Sequence, residues 1–283
     1  MEIIMGKLAG FCGGVINSVS KTEKLLNDTN SIYCLGELVH NKQVVDKLES
    51  KGMITIDSLD TIPDNSSVVI RAHGVAKDVY EFAKFKGIKI YDLTCPNVLK
   101  IHEKAEELAN NDYYIILIAQ KDHPEAIGTI SFCGDRCSIL ENIDQLDDIV
   151  EDIKKSQLKK VAIISQTTFS VLKFNAFVQK IKTILVEYQI DVFNTICSAT
   201  DLRQKETAEI AKEADAMIII GGKNSSNTKK LYELSLNYCK DTFIIETVKD
   251  LDKDFSVYNK VGVMAGASTP KESIIEVIEY LKK

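Results

Sequence analysis

Three of the seven cysteines lie where a short β-branched segment gives way to a helical pattern. They are Cys12, Cys95 and Cys197, and each follows a predicted strand. The amino end of a helix stabilises a thiolate, so this position favours cysteines that act as ligands or nucleophiles. Thiolates bind zinc, copper(I) or iron–sulfur clusters, and the close CxxC pairs usual at zinc sites are absent. Three thiols far apart in sequence therefore favour a 4Fe-4S cluster with one iron that lacks a protein thiolate.

The other four cysteines carry weaker indications of chemistry. Cys34 and Cys239 lie in apolar patterns and are predicted to be core residues, because unpaired cysteine is among the most buried residue types. Cys133 and Cys137 are separated by three residues, but no histidine or further cysteine lies near them to complete a metal site. We therefore assign no chemistry to these four.

Three of the four histidines also follow strands or begin helices. His40, His73 and His123 lie in the segments VHN, RAHGV and HPE, and together they are predicted to line a pocket for an anion. His102 lies on a charged helix face, and the sequence predicts it at the surface.

The segment GGKNSSN (221–227) follows a predicted strand and begins a helix. Its backbone N–H groups, with the hydroxyls of Ser225 and Ser226, can hold a phosphate. The GK[ST] ending of a Walker A loop is missing. The alternative is that the segment serves only as a Ser/Asn helix cap.

Two proline-containing segments predict helix starts that leave polar side chains available for a ligand. In AGASTP, Thr269 is predicted to cap the helix, which leaves Ser268 to donate to a ligand. In HPE, Pro124 fits the first helical position, so His123 is predicted at the N-cap and Glu125 in the first turn. A carboxylate there is usually a partner of the helix dipole, and beside an electron-accepting site it is also a candidate proton donor.

Alternating strand and helix patterns must position these side chains. The predicted strands are 3–8, 31–35, 67–71, 89–93, 113–118, 160–165, 191–195, 216–220, 242–246 and 261–265. The predicted helices include 44–50, 79–86, 98–110, 171–188, 202–214 and 271–281. This alternation is typical of α/β proteins with parallel sheets. The recurring cysteine junctions predict three similar α/β units, which we place at residues 1–96, 97–190 and 191–283.

Composition excludes several functional classes. The chain has 283 residues with 35 basic and 41 acidic side chains, a net charge of −6. This acidic balance disfavours nucleic acid as a partner. No apolar run approaches the ~20 residues that span a bilayer, and the first ten residues do not resemble a signal peptide. We therefore expect no membrane association and a cytoplasmic location.

Nine motifs occur in the order seen in one enzyme family. They are GFCGGV, VHN, RAHGV, DLTCPNV, DHPEAIGT, SQTT, ICSATDLRQ, KNSSN and AGASTP, and they extend from residue 10 to residue 270. In these motifs the chain resembles the 4-hydroxy-3-methylbut-2-enyl diphosphate reductases, which catalyse the last step of the methylerythritol phosphate route to isoprenoids. Two small departures, Arg71 before AHG and Gly13 in the first motif, leave the matched functional positions intact.

The resemblance implies a fold, a cofactor and a site. Three α/β domains would form a pseudo-threefold cloverleaf around a central 4Fe-4S cluster held by the three junction cysteines. Glu125 and Thr167 would handle protons near that cluster. The implied diphosphate-binding residues are His40, His73, His123, Thr167, Ser225, Ser226, Asn227 and Ser268.

The implied reaction is reductive dehydroxylation of the diphosphate substrate to isopentenyl and dimethylallyl diphosphate. The sequence contains no GxGxxG fingerprint for a flavin or nicotinamide, so we expect ferredoxin or flavodoxin as electron donor.

Two other functions also fit the residues. One is a non-redox hydro-lyase, because an iron without a protein thiolate can also dehydrate a hydroxy acid. The other is a metal-cluster sensor that binds a phosphorylated ligand without turnover. Dependence of turnover on a reductant separates the first from a reductase.

Overall fold

The structure is a computed structural model that describes all of the chain, Met1–Lys283. It contains twelve strands and ten α-helices. The strands are β1 (Glu2–Met5), β2 (Ile32–Leu35), β3 (Met53–Ile56), β4 (Ser67–Ile70), β5 (Lys89–Asp92), β6 (Tyr113–Ile118), β7 (Cys137–Leu140), β8 (Lys160–Ser165), β9 (Gln189–Val192), β10 (Ala216–Ile220), β11 (Thr242–Ile245) and β12 (Lys260–Ala265). The helices are α1 (Gly13–Thr29), α2 (Lys42–Glu49), α3 (Lys77–Phe85), α4 (Pro96–Asn110), α5 (Pro124–Ile130), α6 (Leu146–Ser156), α7 (Val171–Ile184), α8 (Ser198–Glu213), α9 (Ser226–Leu236) and α10 (Lys271–Leu281).

The strands form three sheets of four. Sheet A has the order β11-β10-β12-β1, sheet B has β3-β2-β4-β5, and sheet C has β7-β6-β8-β9. Within them, β1–β12, β10–β12, β10–β11, β2–β4, β4–β5, β6–β7, β6–β8 and β8–β9 pair in parallel. The predicted α/β class with three parallel-sheet units is confirmed.

The three sheets share one strand order. We call β10, β2 and β6 the first strands of their sheets, β11, β3 and β7 the second, β12, β4 and β8 the third, and β1, β5 and β9 the fourth. Each sheet then reads second-first-third-fourth. In sheet A the fourth strand is β1, at the start of the chain, whereas the other three strands come from its C-terminal part. This sheet therefore joins the two ends of the chain. The domain boundaries at residues 96 and 190 stay a prediction.

The chain divides into two compact units. Unit 1 comprises Met1–Ser31, Glu37–Met53 and Ser198–Lys283, and unit 2 comprises Ile32–Gly36 and Ile54–Cys197. Sheet A lies in unit 1. Sheet C lies in unit 2, together with most of sheet B.

Helices cover both faces of the central strands, which explains their continuous hydrophobicity. In sheet C, Ile116 and Ile118 pack into the apolar cluster that includes α6 and α7. The alternate residues Ile115 and Leu117 pack into the cluster that includes α4. Sheet A is arranged in the same way, with side chains of β10 divided between a cluster with α10 and a cluster with α8 and α9.

The sequence pattern predicts ten of the twelve strands and misses β3 and β7. Both have four residues and lie at a sheet edge. No helix of the structure combines the length and hydropathy needed to span a membrane.

Candidate active site

Each junction cysteine follows the fourth strand of a sheet. Cys12 comes after β1, Cys95 after β5, and Cys197 after β9. The helix that follows begins at the next residue in all three cases, at Gly13, at Pro96 and at Ser198. The three thiols therefore occupy one topological position, at the carboxyl end of a parallel strand and at the amino end of a helix, where open α/β sheets bind their ligands.

One backbone hydrogen bond recurs at all three cysteines. The N–H groups of Cys12, Cys95 and Cys197 donate to the carbonyl oxygens of Ala267, Ala72 and Thr167, at 3.1, 3.0 and 3.0 Å. In each sheet the accepting residue is the second one after the third strand. Each cysteine is thus held to the loop after the third strand of its own sheet, and the three cysteines are equivalent in geometry as well as in topology.

The first strands position a second set of polar residues. His40, His123 and Ser225 each lie five residues beyond the end of a first strand, β2, β6 and β10 respectively. These loops stand at the place where the strand order reverses direction, between the first and third strands. That place is the usual ligand crevice of a doubly wound sheet.

A third set of polar residues follows the third strands. It contains one residue, Thr168, that the sequence motifs do not single out. His73, Thr168 and Ser268 each lie three residues beyond a third strand. Thr168 is therefore the counterpart of His73 and Ser268, although the motifs drew attention only to its neighbour Thr167. Its Oγ1 accepts a hydrogen bond from Gln166 Nε2 at 3.0 Å. Alignment of the three units on their strand ends is the signal that identifies it.

In unit 2 the structure brings Glu125 and Thr167 together. Thr167 donates to both carboxylate oxygens of Glu125, from its N–H to Oε1 and from its Oγ1 to Oε2, each at 2.6 Å. Glu125 is 2% exposed. The pKa of Glu125 is raised to about 7, because burial raises it by more than the two Thr167 hydrogen bonds lower it. This carboxyl group can therefore hold or release a proton near neutral pH.

The helix start of α5 places Glu125. His123 is the N-cap, Pro124 occupies the first turn, and His123 Nδ1 accepts a hydrogen bond from the Glu125 N–H at 3.1 Å. This helix start is the one that the HPE segment predicts. The rings of His73 and His123 meet edge to face, with centroids 5.5 Å apart.

A further unit 2 contact reaches a cysteine. Asn97 Nδ2, in the first turn of α4, donates to Cys197 Sγ at 3.1 Å. The sequence indicated nothing of this contact, because residues 97 and 197 are one hundred positions apart.

In unit 1 the loops after β10 and β12 carry the predicted phosphate-binding residues. Ser225 is the N-cap of α9 and accepts from the Thr228 N–H at 3.3 Å. Asn227, in the first turn, is 4% exposed, and neither its Oδ1 nor its Nδ2 has a hydrogen-bond partner. A buried amide without partners costs about 1 to 3 kcal/mol per unsatisfied group. Such a cost is typical of a side chain that serves a ligand.

His40 and Ser268 also meet in unit 1. Ser268 Oγ donates to the His40 carbonyl oxygen at 3.1 Å. Gly222 permits the close approach, because a Cβ at this position would lie 2.5 Å from the same oxygen. The His40 Nδ1 lies 3.2 Å from Glu37 Oε2. Ser226 is buried at the first position of α9.

Two local predictions are wrong. His102 is 3% exposed rather than at the surface, because α4 packs against α5 and the ring stacks on Phe132 at 4.4 Å. Thr269 does not cap α10, because the N-cap of that helix is Pro270. The Thr269 Oγ1 donates instead to the Ile220 carbonyl oxygen at 2.9 Å.

Of the remaining four cysteines, Cys34 and Cys239 match their predicted core positions. Cys34 and Cys239 are 0% and 4% exposed. Cys133 is buried, and Cys137 is partly buried in the same apolar cluster. The neighbouring Cys133 thiol and burial raise the pKa of Cys137 well above its usual range. None of the seven cysteines forms a disulfide.

Comparison with known proteins gives one consistent family. The model of the family described as LytB protein matches residues 3–282. A 4-hydroxy-3-methylbut-2-enyl diphosphate reductase of Clostridioides difficile is 41% identical over 100% of this chain and 99% of its own length. The corresponding protein of Petrotoga mobilis is 37% identical over 100% of this chain and 98% of its own length.

Solved structures agree with the sequence relatives. The structure of E-1-hydroxy-2-methyl-but-2-enyl-4-diphosphate reductase from Plasmodium falciparum matches with a TM-score of 0.91 and 32% identity, covering 100% of this chain and 88% of that one. A second structure is described as (E)-4-hydroxy-3-methyl-but-2-enyl diphosphate reductase, the terminal enzyme of the non-mevalonate pathway. It matches with a TM-score of 0.71 and 36% identity, covering 100% of this chain and 99% of that one.

Proposed function

The chain belongs to the LytB family, and we propose that it catalyses the reductive dehydroxylation of (E)-4-hydroxy-3-methylbut-2-enyl diphosphate. The products are isopentenyl and dimethylallyl diphosphate, and the reaction is the last step of the methylerythritol phosphate pathway. The observation that carries the proposal is the threefold recurrence of polar residues at strand ends. Every residue implied by the motifs follows a first, third or fourth strand of one of the three sheets.

We propose that Cys12, Cys95 and Cys197 hold one 4Fe-4S cluster with one iron that lacks a protein ligand. The donor set fits this group, because the three thiols are partly exposed, are not in disulfides and precede helices. By contrast, Cys34, Cys133 and Cys239 are buried. When bound, such a cluster supplies one-electron transfers and a Lewis-acidic iron for the substrate hydroxyl.

The chain's own residues supply the diphosphate site. The residues that we assign to the diphosphate are His40, His73, His123, Thr167, Thr168, Ser225, Ser226, Asn227 and Ser268. Asn227 supports this assignment most directly, since its buried amide has no partner and can both donate to and accept from a ligand. None of the assigned residues is an arginine or a lysine, so in this proposal the anion depends on hydroxyls, amides, imidazoles and helix ends.

We assign proton transfer to Glu125 and Thr167. A carboxyl group with a pKa near 7 is matched to proton donation at neutral pH. Thr167 Oγ1 lies 2.6 Å from Glu125 Oε2, and a hydroxyl can accept one proton while it passes on another. We infer that this pair delivers the proton that the departing hydroxyl oxygen needs to leave as water.

The electron donor in this proposal is a separate one-electron carrier protein, ferredoxin or flavodoxin. Anaerobic turnover with a chemical reductant tests the function without that partner. We expect both diphosphate products to form when reductant is present and none to form when it is omitted. Substrate consumption at an equal rate without reductant would instead favour the hydro-lyase. Cluster and substrate binding with no turnover under either condition would favour the sensor.

A further inference from the structure

The loop that leads to Cys12 differs from the loops that lead to the other two cysteines. Cys12 lies seven residues beyond its strand, whereas Cys95 lies three beyond β5 and Cys197 five beyond β9. A longer connection has more conformations and is less restrained by the strand that precedes it. If Cys12 is to be held as firmly as the other two thiols, its loop needs additional contacts.

Two charged side chains of α8 supply those contacts. Arg203 is 4% exposed, and it donates from Nε to the Leu8 carbonyl oxygen at 3.0 Å and from Nη2 to the Gly10 carbonyl oxygen at 2.8 Å. Glu206, one helical turn later, accepts from the N–H groups of Lys7 and Leu8 at 2.7 and 2.9 Å.

Both partners of each hydrogen bond lie within unit 1. Together the four bonds hold the N–H groups of Lys7 and Leu8 and the carbonyl oxygens of Leu8 and Gly10. The arrangement suits the chemistry of each side chain. A guanidinium presents several donors in a fixed planar fork, which matches two carbonyl oxygens, and a carboxylate accepts two N–H groups at once. Hydrogen bonds to charged groups are stronger than those between neutral groups. Residues three apart on a helix share a face, so α8 presents both side chains to the loop.

We propose that Arg203 and Glu206 are positioning residues that fix the loop 7–10 and thereby hold Cys12 as a cluster ligand. The proposal rests on the proposed function, because it requires that Cys12 binds the cluster. Neither residue touches the reacting groups. Both act through the loop backbone, which continues directly into Cys12, the N-cap of α1.

The test compares anaerobically reconstituted holoprotein of the wild type and four variants. Arg203→Met removes both donors, Arg203→Lys keeps the charge with a single ammonium group, and Glu206→Gln keeps one acceptor. Lys205→Met is the matched control, because Lys205 lies on the exposed side of the same helix and pairs with Asp201. Two quantities are measured: the rate of iron release to a ferrous chelator, and the alkylation rate of each cysteine by iodoacetamide, resolved by peptide mass spectrometry.

We expect Arg203→Met to release iron at least about tenfold faster than wild type, the factor that corresponds to loss of one hydrogen bond to a charged group. Cys12 should be alkylated before Cys95 and Cys197. Arg203→Lys and Glu206→Gln should give intermediate rates, and Lys205→Met should match the wild type. A general loss of stability would expose the three cysteines together, so the order of alkylation separates positioning from a merely structural role.

Two results would overturn the proposal. One is an iron-release rate of Arg203→Met and Glu206→Gln equal to that of Lys205→Met. The other is simultaneous alkylation of all three cysteines in each variant. Glu206→Gln provides the test if Arg203→Met does not fold. The wild type distinguishes failure of the proposed function: if its Cys12 is alkylated as fast in holoprotein as in apoprotein while iron is retained, Cys12 is not a ligand.

Discussion

The carboxyl group of Glu125 combines two opposing influences. Burial favours the protonated form, and two short hydrogen bonds from Thr167 favour the carboxylate. Burial has the larger effect. The side chain is therefore close to half protonated at pH 7, which a fully exposed glutamate is not.

Replacement of Glu125 by Gln should separate proton donation from a role as partner of the helix dipole. The amide keeps the shape, and its one oxygen can still accept one of the two Thr167 hydrogen bonds, but it has no transferable proton. We expect the cluster spectrum and substrate Kd to be retained while kcat falls about 10²- to 10⁴-fold. Glu272→Gln is the control, since Glu272 is an exposed first-turn carboxylate of α10. A kcat near that of the wild type would leave Glu125 with only a dipole role.

The same pKa predicts a pH dependence of stability. Between pH 4.5 and about 7 the folded protein retains a proton on Glu125 that the unfolded chain has lost. The Glu125 contribution to the free energy of unfolding therefore decreases as pH rises through this window, by about 3 kcal/mol if the whole shift is expressed. In denaturant unfolding, the stability of wild type relative to Glu125→Gln should fall by this amount as pH rises, since contributions of other groups are common to both proteins. Equal slopes in the two proteins would contradict the raised pKa.

Asn227 and Ser225 are neighbours in the same loop with different expected roles. The Asn227 side chain makes no hydrogen bond, whereas Ser225 caps α9. Asn227→Ala should raise substrate Kd about 10- to 100-fold, the equivalent of one hydrogen bond to a charged group, without lowering the melting temperature. Ser225→Ala should also lose about 0.5 to 2 kcal/mol of folding stability. Calorimetric titration and thermal melts of both variants measure this difference. A lower melting temperature with unchanged Kd in Asn227→Ala would remove Asn227 from the site.

At the scale of elements, the packing of α4 against α5 depends on a buried histidine. His102 stacks on Phe132, and its Nε2 has no hydrogen-bond partner. A Cβ at Gly74 would lie 2.9 Å from the ring, and one at Gly128 would lie 3.5 Å from Nε2. Gly74, the residue after His73, thus makes room for the imidazole, whereas a Cβ at Gly128 would be in ordinary van der Waals contact with it.

Burial lowers the pKa of His102 to about 4, so the ring is neutral at pH 7. Between pH 6.5 and 4 the unfolded chain gains a proton that the folded protein excludes. Stability attributable to His102 is therefore present above pH 6.5 and is lost as pH falls, by about 3 kcal/mol. His102→Phe keeps the stacking without the titration, so in denaturant unfolding the stability of wild type relative to His102→Phe should fall by this amount as pH falls between these values. The same loss in both proteins would show that His102 does not titrate as proposed.

At the scale of the whole molecule, the fold repeats one four-stranded plan three times. The recurrence extends to a single backbone hydrogen bond at each cysteine, so we expect the three thiols to be equally necessary. Replacement of any one of Cys12, Cys95 or Cys197 by Ser should abolish the visible absorption of the cluster. The same change at Cys34, Cys133, Cys137 or Cys239 should leave it. Absorption spectra and iron analysis of anaerobic protein measure both. A full iron complement in Cys197→Ser would contradict the three-ligand proposal.

The sequence alone determined the α/β class, most strands and the candidate site residues. Buried parallel strands need continuous β-branched runs, and helix starts need particular capping residues, so both leave local marks such as those around Pro124 and the strand at residues 113–118. The ordered motifs also identified the family. These features depend on residues close together along the chain.

Tertiary structure decided what local patterns do not encode. Three features join segments far apart in sequence: the pairing of β1 with β12, the contact of Asn97 with Cys197, and the hydrogen bonds of Arg203. A fourth, the burial of His102, depends on which face of its helix is covered. The equivalence of Thr168 to His73 and Ser268 emerged only when strand order supplied the alignment. The physical reason is that the environment of a side chain is set by its neighbours in space, and distant segments become neighbours only when the sheets assemble.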